Sequence, residues 1–135
     1  AKNNLAYMMA EEDRDLDRAL KLAQEAKAGM PDSASAADTL GWVLYKRGVH
    51  SAAIGYLREA VTVAGGEDTA IGEIRLHLSK AYEATGDNDK ALETLQEALG
   101  DVDKLRESGK LAKDGPPPPW AGRVQAEIDR LKTAG

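Results

Sequence analysis

The strongest constraint on this chain is that its sequence repeats itself. Ala19, Leu20 and Ala26 recur 34 residues later as Ala53, Ile54 and Ala60, and a further 38 residues on as Ala91, Leu92 and Ala98. Upstream of each set lies a second apolar stripe: Leu5-Ala6-Met9, then Leu40-Gly41-Leu44, then Leu78-Ser79-Tyr82. Each stripe reads large, small, two residues, large. That spacing puts one face of a helix against a close neighbour. Ala and Leu dominate the apolar residues, Val and Ile are sparse and Phe is absent, a bias that favours helices. A single unit of this size cannot bury its own apolar faces, so such units must stack. The sequence predicts an all-α chain.

The segments between the stripes carry stop and start signals. Within the units these are Asp13-Arg14-Asp15, Arg47-Gly48 and Gly86-Asp87-Asn88. Glycine accepts the left-handed conformation that ends a helix, and Asp or Asn caps the next one. Met30-Pro31-Asp32-Ser33 separates units one and two, and Gly65-Gly66-Glu67-Asp68 separates units two and three and holds the four-residue excess of the second spacing. Gly41 and Gly48 bracket the segment Asp38–Gly48, but neither follows a strand and no phosphate-loop or dinucleotide fingerprint is present. Because Ala6 and Ser79 stand where Gly41 does, smallness at a helix contact is what that position requires.

Charge and composition narrow the function. The net charge of −5 lacks the basic surface that nucleic-acid binding needs. No basic run favours a membrane surface, and no apolar stretch approaches the ~20 residues that span one. Without cysteine there are no disulfides, thiolate nucleophiles or Cys-based zinc sites. The two histidines, His50 and His77, lie on different elements outside any metal-binding spacing. No serine sits in a nucleophile-elbow motif. Acidic pairs such as Glu11-Glu12 and Glu67-Asp68 fall at helix ends or linkers, where solvation or the helix dipole accounts for them. The expectation is a non-enzyme with no cofactor and no metal. The compartment stays open between cytoplasm and periplasm.

The repeat resembles the tetratricopeptide repeat (TPR), a 34-residue helix–turn–helix with small residues at the helix contacts. Unit two matches at Leu40-Gly41, Gly48, Ala53, Leu57 and Ala60. Unit three keeps Leu78, Tyr82, Gly86, Ala91, Leu95 and Ala98, and unit one keeps Leu5, Ala6, Ala19, Ala26 and Pro31 with a longer, glycine-free turn. The resemblance spans roughly residues 1 to 100. It implies a right-handed superhelical α-solenoid of three units, residues 1–31 (with a shortened first helix), 32–66 and 67–106. A polar and polyproline linker over 107–118 and a C-terminal capping helix over 119–135 complete it. Val124, Ile128 and Leu131 supply the apolar stripe of that last helix. Pro116–Pro119 reads either as a spacer that starts the helix or as a ligand for a polyproline-reading domain, the spacer being favoured. The layout is also similar to the C-terminal part of large bacterial TPR proteins, some linked to exopolysaccharide export and protein sorting. No polar capping segment precedes the first unit, so further repeats are expected before it.

What the resemblance implies for function is a protein–protein interaction module that grips a peptide or partner segment on the concave face lined by the first helix of each repeat. Carried over residue by residue, that face takes Asn3, Tyr7 and Glu11 from unit one. Asp38, Trp42, Tyr45 and Lys46 come from unit two, and Leu76, Lys80 and Glu83 from unit three. Tyr7, Trp42 and Tyr45 are anchors of the type enriched at binding hot spots. Trp42 and Tyr45 could equally pack between adjacent first helices. The carboxylate clamp of some TPR domains is incomplete here, since only Asn3 and Lys80 are of suitable type, so a partner segment with an apolar side chain fits better. The alternative is a structural or self-assembly module. In that reading, exposed apolar residues at the N-terminal end (Leu5, Met8, Met9) pair with another copy or with preceding repeats.

Overall fold

The computed structural model describes residues 1–134, and every one of their regular elements is helical. Seven α-helices follow one another: α1 (Lys2–Glu11), α2 (Leu16–Gly29), α3 (Ala34–Lys46), α4 (His50–Ala64), α5 (Ile71–Ala84), α6 (Asn88–Glu107) and α7 (Pro119–Ala134). A 3-10 turn, Gly65–Glu67, occupies the linker that the wider second spacing predicts. The all-α helical-repeat expectation is met.

The start and stop signals act as their chemistry dictates. Ser33 Oγ accepts the Ala36 N–H at 3.1 Å, and Asp87 Oδ1 accepts the Lys90 N–H at 3.1 Å, capping α3 and α6. Three helices then end in the same way. After α3 the Gly48 N–H reaches Tyr45 O and the Val49 N–H reaches Leu44 O, and after α5 Gly86 and Asp87 bond Glu83 O and Tyr82 O. This is the Schellman closure, with glycine at φ 84° and 82°. After α1 the identical pair of bonds, Asp13 to Ala10 O and Arg14 to Met9 O, is made with Asp13 at φ 52°. Asp15, at φ 45°, caps α2 from a left-handed conformation too. The glycine-free turn of unit one therefore adopts the same closure as the other two, with two strained aspartates.

The chain divides into two compact units, residues 1–63 and residues 64 onward. In the first, α1 pairs with α2, and α3 lies against both. Asn3 meets Ser35, Glu11 meets Trp42 and Asp13 meets Lys46, so numbers on α1 and α3 rise together and the helices run parallel. Ala6, Ala10, Ala19, Ala23, Ala36 and Ala37 are fully buried at these crossings, where a larger side chain would hold the helices apart. Gly41 is the extreme case. A Cβ there would stand 2.6 Å from Leu57 Cγ and 3.2 Å from Ala53 O of α4. Helical packing is thus the role of this glycine, worth more than the ~1 kcal/mol that it sacrifices in helix propensity.

The second unit repeats the plan. α5 pairs with α6, and α7 lies against both. Trp120, Val124, Ile128 and Leu131 of α7 are buried, the last three as their spacing predicts. Trp120 is 2% exposed, packs on Gly72 of α5 and donates its indole N–H to Thr69 O at 2.8 Å. Arg123 meets Glu73, Glu127 meets Lys80 and Arg130 meets Glu83, so α7 runs parallel to α5. α7 therefore stands to α5 and α6 as α3 stands to α1 and α2. Arg75 and Asp101 pair at 2.6 Å between α5 and α6, the carboxylate 2% exposed. The linker into α7 is pinned by Arg106, which donates to the carbonyls of Lys113 and Gly115. Pro116–Pro118 bridge from the Ala112–Gly115 turn to Pro119, the first residue of the helix. That is the length of a strut.

Candidate functional site

On α1, Asn4, Met8 and Glu11 recur at i, i+4 and i+7 and all are exposed. Met8, at 55%, is the most exposed large apolar side chain among the described residues. Beside this stripe, on the side of α3, lie Asn3 and Tyr7, both half-buried. Asn3 Nδ2 donates to Ser35 Oγ at 2.9 Å, tying the starts of the two helices together.

Trp42 is 6% exposed, so its ring belongs mostly to the interior of the α1/α3 seam. Its indole N–H donates to Glu11 Oε1 at 2.6 Å. One ring face stacks on Tyr45 at 4.8 Å and 9° between planes. The Lys46 ammonium stands 5.3 Å from the Trp42 ring centre and 3.7 Å from Asp13 Oδ1. A cation over an indole face is attracted by the ring quadrupole. Tyr45 is half-buried and has His50 tilted against it at 5.5 Å between ring centres. Asp38 is half-buried. Glu11, Trp42, Tyr45 and Lys46 thus form one connected cluster around the buried tryptophan, and Asn3 lies apart from it at the start of α1.

In the second unit two of the three expected residues, Lys80 and Glu83, meet α7. Leu76 is buried. Lys80 Nζ stands 3.1 Å from Glu127 Oε1, and Arg130 holds Glu83 through two bonds of 2.9 and 2.7 Å while also bonding Glu127. The Arg130 guanidinium holds the Glu83 and Glu127 carboxyls below their ordinary range and has its own pKa raised in return. Arg123, Glu127 and Arg130 were not singled out by sequence reasoning. Their partners lie 47 to 50 residues away, beyond any periodicity.

At the N-terminal end the expectation needs one correction. Met9, read as an exposed apolar residue, is 1% exposed, because it forms the core between α1 and its neighbours, while Met8 points outward. Among the described residues no group of three or more His, Asp or Glu side chains is placed to hold a metal ion. No helix there is long and apolar enough to cross a membrane.

No protein-family model matches the sequence, and no curated protein matches it. The fold does have a solved counterpart. The crystal structure of SycD, a type III secretion translocator chaperone of Yersinia enterocolitica described as an alternative dimer, superposes with a TM-score of 0.72. The match covers 98% of this chain and 90% of that one at 16% identity. The chain shares its all-helical fold with that chaperone.

Proposed function

We propose that this chain is a protein-binding module of the TPR type, and that it holds a partner segment on the α1/α3 face of its first unit. The observation that carries the reading is the exposed Met8 beside Glu11, backed by a Trp42–Tyr45 stack that packing holds rigid. A large exposed apolar side chain next to a preorganised polar group is what a partner's apolar anchor needs, because little side-chain entropy remains to be lost. In the second unit Lys80 and Glu83 bind α7 and Leu76 is buried, so that unit contributes support more than grip. The likeness to a translocator chaperone supports the reading at the level of fold.

Selection of a displayed random-peptide library on the immobilised chain tests it. Enrichment that Met8→Ser and Tyr45→Ala each abolish, with helicity retained, is the expected result. Enrichment indifferent to both substitutions refutes this face. Self-assembly is the second reading, favoured by the same Met8. It requires a molar mass that rises with concentration in light scattering and returns to the monomer value in Met8→Glu.

A further inference from the structure

The two units close their parallel-helix seams with different chemistry. Between α5 and α7, Lys80 meets Glu127, Arg130 meets both Glu127 and Glu83, and Arg123 meets Glu73, so each charge has its opposite. Between α1 and α3, Trp42 meets Glu11. Around it, Glu12 pairs with Arg14, Asp13 with Lys46 and Asp17 with Arg47. Glu11 is left with a neutral partner: its Oε1 accepts from the indole N–H, and no cation among the described residues reaches its carboxylate. The side chain is exposed, yet the bond from a buried ring fixes its position.

A fixed, uncompensated, accessible carboxylate one helical turn from an exposed methionine defines the charge of what fits there. We infer that the α1/α3 face takes a segment of another protein that presents a Lys or Arg to Glu11 and a large apolar side chain to Met8. The inference rests on the binding face proposed above. Met8 and Glu11 are three residues apart on one helix, about 4.5 Å along its axis. A helical partner therefore carries its cation three or four positions from its apolar anchor, the spacing at which two side chains share a face. The partner's cation meets the second oxygen of Glu11, the one the indole leaves open. Opposite charge at a rim gives register and rejects wrong partners more than it adds affinity.

The sequences recovered by the library selection decide the matter. From the wild type, the enriched peptides are expected to share a Lys or Arg three or four positions from a large apolar residue. Glu11→Gln keeps an acceptor for the Trp42 N–H and removes only the charge, so the basic preference should vanish while the apolar one persists. Glu11→Lys should turn the preference to Asp or Glu. For one selected peptide made with Lys or with Glu at that position, anisotropy titration should show about tenfold weaker binding of the Glu form at low salt, a gap that closes as salt rises. Peptides that depend on Met8 but show no basic preference, or an unchanged one in Glu11→Gln, overturn this inference and leave the binding face standing. Selection that ignores Met8 overturns the face itself.

Discussion

Gly72 is the position where a single methyl group should be most costly. It lies in the first turn of α5, where replacing Gly by Ala usually gains up to ~1 kcal/mol of helix propensity. Here a Cβ would stand 2.0 Å from Cδ2 and Cε3 of Trp120 and 2.5 Å from Cε2. Van der Waals contact needs about 3.5 Å or more, so the ring would have to withdraw by about 1.5 Å. Trp120 cannot do so freely, because it is 2% exposed and its N–H is bonded to Thr69 O at 2.8 Å. Complete loss of a buried Trp costs about 3–5 kcal/mol. A partial loss offset by the propensity gain leaves Gly72→Ala about 2–3 kcal/mol less stable than the wild type. At about 3 °C or more per kcal/mol, that lowers the melting temperature by roughly 6–10 °C.

The assay is thermal and urea unfolding followed by circular dichroism, with Trp120 fluorescence read in a Trp42→Phe background. A double-mutant cycle with Trp120→Ala isolates the contact. Once the ring is gone, Gly72→Ala should be neutral or slightly stabilising. If Gly72→Ala stabilises the chain by the same amount with and without Trp120, α7 does not dock on this glycine and the account of the second unit fails.

Other outcomes follow from single features. Asp13→Gly should stabilise by about 0.5–1 kcal/mol in urea unfolding, since it removes a left-handed aspartate and gives up only an exposed pair with Lys46, whereas Gly48→Ala and Gly86→Ala should each cost about 1 kcal/mol. Asp101→Ala should cost about 2–3 kcal/mol, below the full penalty for breaking a buried pair because Arg75 keeps Glu97 at 3.6 Å. Acid should loosen α7. Glu83 and Glu127 have carboxyls depressed in the fold by Arg130, so their contribution is complete above the ordinary value of 4.5 and is lost as pH falls below it through the folded values. Trp120 fluorescence should report that loss as the pH falls below 4.5, and Arg130→Met should remove most of the pH dependence.

Much of this fold can be read from the spacing alone, for a physical reason. Helix–helix contact within a unit forces small residues to recur at fixed offsets, which is why Ala6, Gly41 and Ser79 stand out and why the stripe Val124, Ile128, Leu131 marks the last helix. Contacts across many residues leave no such trace. Nothing about Trp120 foretells Gly72, 48 positions earlier, and nothing about Trp42 foretells Glu11. The expected binding residues were read as faces of single helices. Which helix covers each face decides their state: α7 takes up Lys80 and Glu83, and the α1/α3 seam absorbs most of Trp42 while leaving Glu11 and Met8 outside. Met9 and Met8 show how narrow the margin is, since 100° around one helix separates a core residue from a surface one.

The correspondence between α3 and α7 has a bearing on what the outward face of α7 can bind. Gly41 seats α4, and Ala37 and Leu44 share its face. On α7, Gly122, Ala126 and Asp129 recur at i, i+4 and i+7, the spacing of Ala37, Gly41 and Leu44, and all are exposed. The small residues that let a further helix come close are retained, and what keeps the surface wet is Asp129, bonded to Gln125 at 3.0 Å. The barrier to sticking here is therefore two polar side chains deep. Leucine at both would rebuild the seat that α4 occupies, and chains so altered should leave solution as assemblies.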